Sequence, residues 1–194
     1  MTTDDRRSRV IIDHFENHRQ ATEQSLPALK QQIQDTGAII IDGLKRGRKV
    51  LAFGNGGSAS QASHLAGELI GRYSRSRRPY PAIALVGDPG VLTCIANDFG
   101  YPALFERQVE ALAQSGDLAI GFSTSGKSPN VLAGLAAARR QGAVTIALTG
   151  AAGLAAPEAD HVLAVPCTTT AHIQEVHLMI LHLWCELLEL EGAA

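Results

Sequence analysis

Short apolar runs recur along the chain from Val50 onward, and longer stretches with helical spacing separate them. Runs of this length without polar alternation are typical of strands that are covered on both faces of a parallel sheet. The pattern predicts five strands, over residues 50–53, 82–86, 118–122, 144–148 and 162–165.

Helical patterns fill the gaps between these strands. Strands that alternate with helices are joined by right-handed crossovers, which place helices on both faces of the sheet. We therefore predict an α/β fold, a three-layer doubly wound sheet of five parallel strands in the flavodoxin-like order 2-1-3-4-5. The predicted helices cover residues 58–73, 89–96, 102–114 and 129–141, a short piece near 152–156, and 170–191.

Two further helices are predicted before the first strand, over residues 4–25 and 27–46. Pro27 is suited to the first turn of the second helix. The apolar faces of these helices could cover the sheet or pair with another subunit. Because no repeat or linker interrupts the chain, we expect residues 1–194 to form one domain, with residues 1–48 as an N-terminal helical extension.

Composition narrows the function classes. A hydrophobic content of 45% over 194 residues is ordinary for a globular protein, and the net charge of −2 argues against a nucleic-acid partner. Cys94, Cys167 and Cys185 form no C-x-x-C pattern, so we interpret them as reduced residues of a cytoplasmic protein. The sequence shows no signal peptide and no apolar run long enough for a membrane span.

A glycine-rich turn, Gly54-Asn55-Gly56-Gly57-Ser58, follows the first predicted strand. Its glycines allow a sharp turn and a close approach of the backbone to a ligand. Ser58 is a candidate N-cap for a helix whose free N–H groups would face that ligand. His64 and Glu68 lie four residues apart, on one face of this helix. The segment thus joins an anion-binding turn to a base and a carboxylate.

A second loop follows the third predicted strand and contains four hydroxyls. Ser128 is a good N-cap, and Pro129 a good first helical residue. Hydroxyls and N–H groups at a helix N-terminus bind phosphate without a metal. The loop lacks the Walker pattern, which argues against a nucleotide triphosphatase. The four hydroxyls are those of Ser123, Thr124, Ser125 and Ser128.

The two loops are expected to meet. In a sheet of order 2-1-3-4-5, strands one and three flank the topological switch point, where ligands bind beyond the carboxyl ends of the strands. Both loops would therefore face one crevice. No dinucleotide fingerprint with an acidic residue about 20 positions on is present, so no nicotinamide or flavin cofactor is expected.

These loops, together with Asn97-Asp98 and the segment from Ile173 to His177, resemble the sugar isomerase (SIS) domain family and, more narrowly, the phosphoheptose isomerases. The resemblance covers nearly the whole chain. It implies conversion of sedoheptulose 7-phosphate to D-glycero-D-manno-heptose 7-phosphate through an enediolate, the first step of nucleotide-activated heptose biosynthesis. It also implies a homotetramer with active sites between subunits.

The resemblance assigns roles to individual residues. Glu68 and His182 are the expected acid–base pair. The expected ligands of one divalent metal per subunit, usually zinc, are His64, Glu68, Gln174 and His182, which offer two nitrogens and two oxygens. The sugar phosphate is expected to contact Asn55, Gly56, Gly57, Ser58, Glu68, Asn97, Asp98, Ser123, Thr124, Ser125, Ser128 and Gln174.

The chain departs from the family pattern in two places. Gln61 stands where an acidic residue is frequent. His172, preceded by Ala171, stands where an arginine is common. These departures bear on substrate detail and leave the reaction type as the resemblance implies it.

Simpler interpretations exist for single residues. A helical histidine is usually only hydrogen-bonded, and Gln174 alone could be a surface residue. We interpret His14 and His18, four residues apart, as solvated or structural, and assign His177 to packing or solvent exposure.

Two other functions remain open from the sequence. One is a catalytically silent SIS regulator that binds phosphosugars or a protein partner, and the other is an isomerase of a different phosphosugar. The presence of His64, Glu68 and His182 favours the enzyme.

Overall fold

The computed structural model describes residues 3–191, in which helices and strands alternate as the sequence predicts. The elements are α1 Thr3–Lys45, β1 Val50–Gly54, α2 Gly57–Ile70, β2 Ala82–Ala84, α3 Pro89–Phe99, a 3-10 turn Tyr101–Ala103, α4 Glu106–Leu112, β3 Leu118–Ser123, α5 Pro129–Arg140, β4 Val144–Thr149, β5 His161–Ala164 and α6 Thr170–Glu191.

The five strands form one parallel sheet in the order β2-β1-β3-β4-β5, which confirms the predicted fold class. Two apolar layers cover the sheet. One joins it to α1, α2 and α6, and the other joins it to α3, α4 and α5. Helices cover both faces of the sheet, so a ligand can reach it only at the ends of the strands. In folds of this type, ligands bind beyond the carboxyl ends.

Pro27 lies inside a single helix, so the prediction of two N-terminal helices was wrong. Proline has no N–H to donate to the carbonyl of residue 23, and its ring disfavours the preceding turn. The buried face of α1 nevertheless continues across it, through Ala21, Ser25 and Leu29. The Ser25 hydroxyl also donates to the Ala21 carbonyl oxygen at 2.6 Å. Continuous packing therefore outweighs the local cost of the proline.

The short helix predicted near 152–156 is absent, and the segment forms turns instead. Its backbone contacts residues 123–128 at and after the end of β3, which we call the serine-rich loop. Gly150 N–H donates to the Thr124 carbonyl at 3.0 Å, and Ala155 N–H donates to the Gly126 carbonyl at 2.9 Å. Because these N–H groups serve the neighbouring loop, they do not form a helical ladder.

Other boundaries differ by a few residues. The second strand ends at Ala84, two residues before its predicted end, and the helix predicted over 89–96 continues to Phe99. The helix predicted over 102–114 is split into the 3-10 turn and α4.

The remaining structural expectations concern cysteines, membrane segments and His177. All three cysteines are free thiols.

Within residues 3–191, no helix combines the length and the apolar character that a bilayer crossing needs. His177 is fully buried, and its Nε2 lies 3.1 Å from the Thr149 carbonyl oxygen, which confirms the packing role over solvent exposure.

Asp117 joins the starting ends of β1 and β3 and generates a stability prediction. Its carboxylate is almost fully buried, accepts from the backbone N–H groups of Lys49 at 3.0 Å and Gln114 at 2.7 Å, and pairs with the Lys49 ammonium. Asp117→Ala should lower the free energy of unfolding by about 3 kcal/mol, because it leaves buried donors and a partly buried cation without an acceptor.

Asp42→Ala is the matched control in urea unfolding. Asp42 pairs with Arg46 on the exposed face of α1, so its loss should cost less than about 1 kcal/mol. Equal losses in the two variants would show that Asp117 is not holding the strands.

Candidate active site

The two predicted loops meet at the carboxyl edge of the sheet. β1 and β3 are neighbours, so Asn55 follows one strand beside the loop that follows the other. Asn55 and Asn130 exchange two amide hydrogen bonds, at 2.9 and 2.8 Å, and Asn130 is buried. The Tyr101 hydroxyl donates to Asn55 Oδ1 at 2.7 Å. These bonds lock the two loops together.

The glycines of the first loop are required by close contacts. A Cβ on Gly54 would lie 2.9 Å from the Phe122 carbonyl oxygen, and one on Gly57 would lie 2.7 Å from the Gln174 amide. Gly56 has a φ of 57°, a conformation that side chains disfavour. The backbone of this turn therefore comes closer to its neighbours than any residue with a side chain would allow.

Ser58 is not the N-cap of α2, contrary to expectation. The helix begins at Gly57, with Gly56 in the capping position, and Ser58 is buried in the first turn. The backbone turn forms one residue earlier than predicted, since the Asn55 carbonyl already accepts from Ser58 N–H at 3.0 Å.

The serine-rich loop leads into α5 as predicted, with Ser128 in the capping position and Pro129 first in the helix. The Ser128 hydroxyl makes no capping hydrogen bond to α5 and instead pairs with the Ser123 hydroxyl at 3.0 Å. Ser125 is exposed, and its Oγ accepts from Lys127 N–H at 3.2 Å. The helix N-terminus and nearby hydroxyls are thus arranged as an anion site.

A cavity of about 320 Å³ opens beside the glycine-rich loop, a size suited to a small ligand. Asn55, Gly56 and Tyr101 line it, together with Ala96 from α3. Asn97 and Asp98 follow Ala96 directly and are exposed, with Asn97 Nδ2 donating to Asp98 Oδ1 at 2.7 Å. The Asn97-Asp98 pair therefore lies next to a residue that lines the cavity.

His64, Glu68 and His182 come together from α2 and α6. His64 Nε2 lies 3.1 Å from Glu68 Oε1 and 3.2 Å from His182 Nε2. One ligand atom from each residue lies within 4.8 Å of the others, and all three side chains are partly exposed. Arg77 donates to the Glu68 carbonyl oxygen and to that of Leu69, which fixes the end of α2. Two imidazoles and a carboxylate in this arrangement can share a proton or bind a cation.

Gln174 lies apart from these three residues. Its side-chain amide lies against Gly57, and its backbone carbonyl oxygen accepts a hydrogen bond from Gln61 Nε2 at 2.5 Å. Gln174 precedes His182 by eight residues on α6, which corresponds to about 12 Å along the helix axis. Within one chain, the expected metal set is therefore divided between the loop end of α6 and a point about two turns further on.

Sequence reasoning missed two residues that fix the loops. Asn130 lies in the helix that the serine-rich loop opens, so its closeness to Asn55 follows once β1 and β3 are known to be neighbours. No sequence signal indicates Tyr101, whose role depends on the 3-10 turn after α3.

His14 and His18 are not simply solvated. Both hydrogen-bond Glu175, as does His172, at distances of 2.9, 2.8 and 2.8 Å. Burial raises the pKa of Glu175, but the hydrogen bonds from His172, His18 and His14 outweigh it and lower the pKa to about 2. His14 and His18 lie more than 150 positions from Glu175 in the chain, which hides this cluster from sequence inspection.

Comparison with known proteins agrees with this geometry. The SIS domain family model matches residues 13–150. A phosphoheptose isomerase from Aquifex aeolicus (strain VF5) is 52% identical over 160 residues, which is 82% of this chain and 84% of that protein. One from Aliarcobacter butzleri (strain RM4018) is 44% identical over 183 residues, or 94% of this chain and 97% of that protein.

A solved structure of a phosphoheptose isomerase from Francisella tularensis superimposes with a TM-score of 0.90 at 34% identity, and the match covers 98% of this chain and 100% of that chain. The similarity in sequence and in fold therefore covers nearly the whole chain and not only the two loops. The chain belongs to the SIS domain family and, within it, to the phosphoheptose isomerases, which are aldose–ketose isomerases.

Proposed function

We propose that this protein converts sedoheptulose 7-phosphate to D-glycero-D-manno-heptose 7-phosphate, the first step of nucleotide-activated heptose biosynthesis. The observation that carries the proposal is that two loops suited to phosphate are joined to each other, while α2, which follows one of them, brings His64 and Glu68 together with His182. The names of the relatives at 44–52% identity support the heptose as substrate.

The chemistry requires a base at one carbon, a proton relay between two oxygens and a group that stabilises the enediolate. In our proposal Glu68 removes a proton from C1, next to the ketose carbonyl, and returns it to C2. His182 moves a proton from the C1 hydroxyl to the C2 oxygen, which leaves an aldehyde at C1 and a hydroxyl at C2. The hydroxyls of Ser125 and Ser128 and the N-terminus of α5 hold the phosphate. Asn55, Asn97 and Asp98 contact the sugar hydroxyls.

A divalent metal, zinc by family resemblance, suits the donors present. His64 and His182 present nitrogens 3.2 Å apart beside the Glu68 carboxylate, and zinc prefers such nitrogen and oxygen ligands. We propose that Gln174 completes the set. When bound, the metal would act as a Lewis acid that polarises the substrate carbonyl.

We further propose a homotetramer with active sites between subunits. The Gln174 amide lies against Gly57, about two helical turns from His182 along α6, so in our proposal a neighbouring chain supplies the amide. Apolar side chains on the first turns of α1 are more than half exposed and available for burial between subunits. These are Val10, Ile11, Ile12 and Phe15.

We also propose a cellular location, a domain organisation and the absence of a nucleotide cofactor. The three free cysteines support a cytoplasmic location. Ile40, Ile41 and Leu44 of α1 share an apolar layer with the sheet, which supports residues 1–194 acting as one domain with an N-terminal helical extension. The proposed reaction needs no nucleotide cofactor.

Nuclear magnetic resonance of the purified protein with sedoheptulose 7-phosphate tests the reaction. Aldose heptose phosphate signals should appear and reach an equilibrium with the ketose, and a chelator should slow their appearance. Well-folded protein that remains inactive with several divalent metals would contradict the isomerase and favour a phosphosugar-binding regulator.

The phosphate loop generates its own prediction. Ser125→Ala removes a hydroxyl donor to a charged group, which should weaken sugar-phosphate binding by about 1.5–3 kcal/mol, or roughly 10- to 150-fold in KM. Ser76→Ala, an exposed serine in the loop after α2, is the control. An unchanged KM in Ser125→Ala would assign the loop a purely structural role.

The acid–base pair and the shared site are tested together. Glu68→Gln, His182→Gln and Gln174→Ala should each lower kcat, by about 10²–10⁴-fold for the two acid–base residues, with little effect on folding. Co-expressed Glu68→Gln and Gln174→Ala chains should regain activity, to roughly a quarter of wild type, because some interfaces combine two intact halves.

Mixed oligomers of Glu68→Gln and His182→Gln are the control. Glu68 and His182 adjoin within one chain, so no interface in this mixture contains an intact pair. Failure of the Glu68 and Gln174 mixture to regain activity would contradict a site shared between chains.

A further inference from the structure

A second cluster of metal-binding side chains lies between α1 and α6, outside the proposed active site. His14 and His18 are one turn apart on α1, and His172 and Glu175 are one turn apart on α6. His14 Nε2 lies 2.9 Å from Glu175 Oε1, while His18 Nδ1 and His172 Nδ1 each lie 2.8 Å from Glu175 Oε2. Three imidazoles thus surround one carboxylate.

The spacing of these atoms is close to that of a coordination shell. One ligand atom each from His14, His172 and Glu175 lie within 4.8 Å of one another. A tetrahedral zinc ion with bonds of about 2.1 Å holds its ligand atoms about 3.4 Å apart. The nitrogens now 2.8–2.9 Å from the Glu175 oxygens would move about half an ångström away from them, and the His14 and His172 nitrogens would settle about 3.4 Å apart. His18 lies outside this group of three and would join it by rotation of its half-exposed side chain.

The two side chains on α6 are more buried than the two histidines on α1, an arrangement that suits ion binding. The His172 side chain is 5% exposed and Glu175 is 33% exposed, whereas His14 and His18 are about half exposed. Two ligands are thus held by packing, and the other two can swing to admit an ion. Among residues 3–191, the ion pairs of Glu175 are all with histidines, so no lysine or arginine occupies the carboxylate.

We propose that His14, His18, His172 and Glu175 form a second transition-metal site that fastens the N-terminal half of α1 to α6. Three imidazoles and one carboxylate favour Zn²⁺, Co²⁺ or Ni²⁺ over Mg²⁺ and Ca²⁺, which prefer oxygen ligands. Four protein ligands leave no open coordination position in a tetrahedral site, so the role is structural. The first metal site, by contrast, is proposed to take substrate.

The inference is independent of the isomerase proposal, and metal stoichiometry separates the two sites. Chelator-stripped full-length protein is titrated with Zn²⁺ alone, and bound metal is counted by mass spectrometry after desalting. Wild type should bind about two ions per chain, and the double variant His64→Ala/His182→Ala about one. Adding His14→Ala to that double variant should weaken the remaining binding at least about 100-fold, and adding His18→Ala at least about 10-fold.

His161→Ala in the same double variant is the matched control, since His161 lies outside both clusters, and it should leave about one ion bound. His14 and His18 are used because both side chains are about half exposed, so their replacement leaves the buried core unchanged. The remaining ion should also raise the Tm of the double variant and fail to do so once His14 is replaced. With Co²⁺ as the probe, the double variant should show the intense visible bands of tetrahedral coordination.

Three results would overturn the second site. The first is a His64→Ala/His182→Ala variant that binds no Zn²⁺, which would leave a hydrogen-bonded cluster only. The second is binding that survives both His14→Ala and His18→Ala unchanged. The third is Co²⁺ binding with the weak spectrum of octahedral coordination. None of these results would alter the expected isomerase activity.

Discussion

The parallel pairing of β1 with β3 is the constraint on which the rest of this structure depends. The two strands run in register from Val50 beside Leu118 to Gly54 beside Phe122, so both end at the same edge of the sheet. Each strand is then followed by a helix whose N-terminus faces that edge. The Asn55–Asn130 amide pair can form only because the strands are adjacent, and it holds the two helix ends in one crevice.

Much of this arrangement follows from the sequence. The short apolar runs identify buried parallel strands, and the glycine and serine motifs follow the strands that flank the switch point. Local rules failed where distant contacts decide the structure. Pro27 is a good helix start by itself, yet the buried side chains before and after it keep α1 continuous against α6.

In the site, too, contacts within one helix could be predicted from the sequence, whereas contacts between distant segments could not. Motif spacing could place His64 and Glu68 on one helix face, but not His182 within reach of both. Tyr101 and the histidines around Glu175 depend on contacts between segments far apart in the chain. Gln174 was expected beside the other metal ligands, whereas its amide lies against Gly57, near the start of α6.

Helix α6 connects the glycine-rich loop, the His64–Glu68–His182 group and the histidines of α1. Its first turns carry Gln174, which faces the glycine-rich loop, and Glu175, which faces the histidines of α1. Two turns later it carries His182, beside His64 of α2. A shift of α6 would therefore move both the loop contact and the acid–base group, because one helix bears them.

We propose that the β1–β3 crevice holds the phosphate while Glu68 and His182 act on the other end of the sugar. A crystal structure of the Glu68→Gln variant with sedoheptulose 7-phosphate tests this most directly, since slowed turnover retains the substrate. We expect the phosphate at the N-terminus of α5, within hydrogen-bond distance of Ser125 and Ser128, and the carbonyl end beside position 68 and His182 of one chain. A phosphate bound elsewhere, or a carbonyl end remote from those two residues in every chain, would contradict the account.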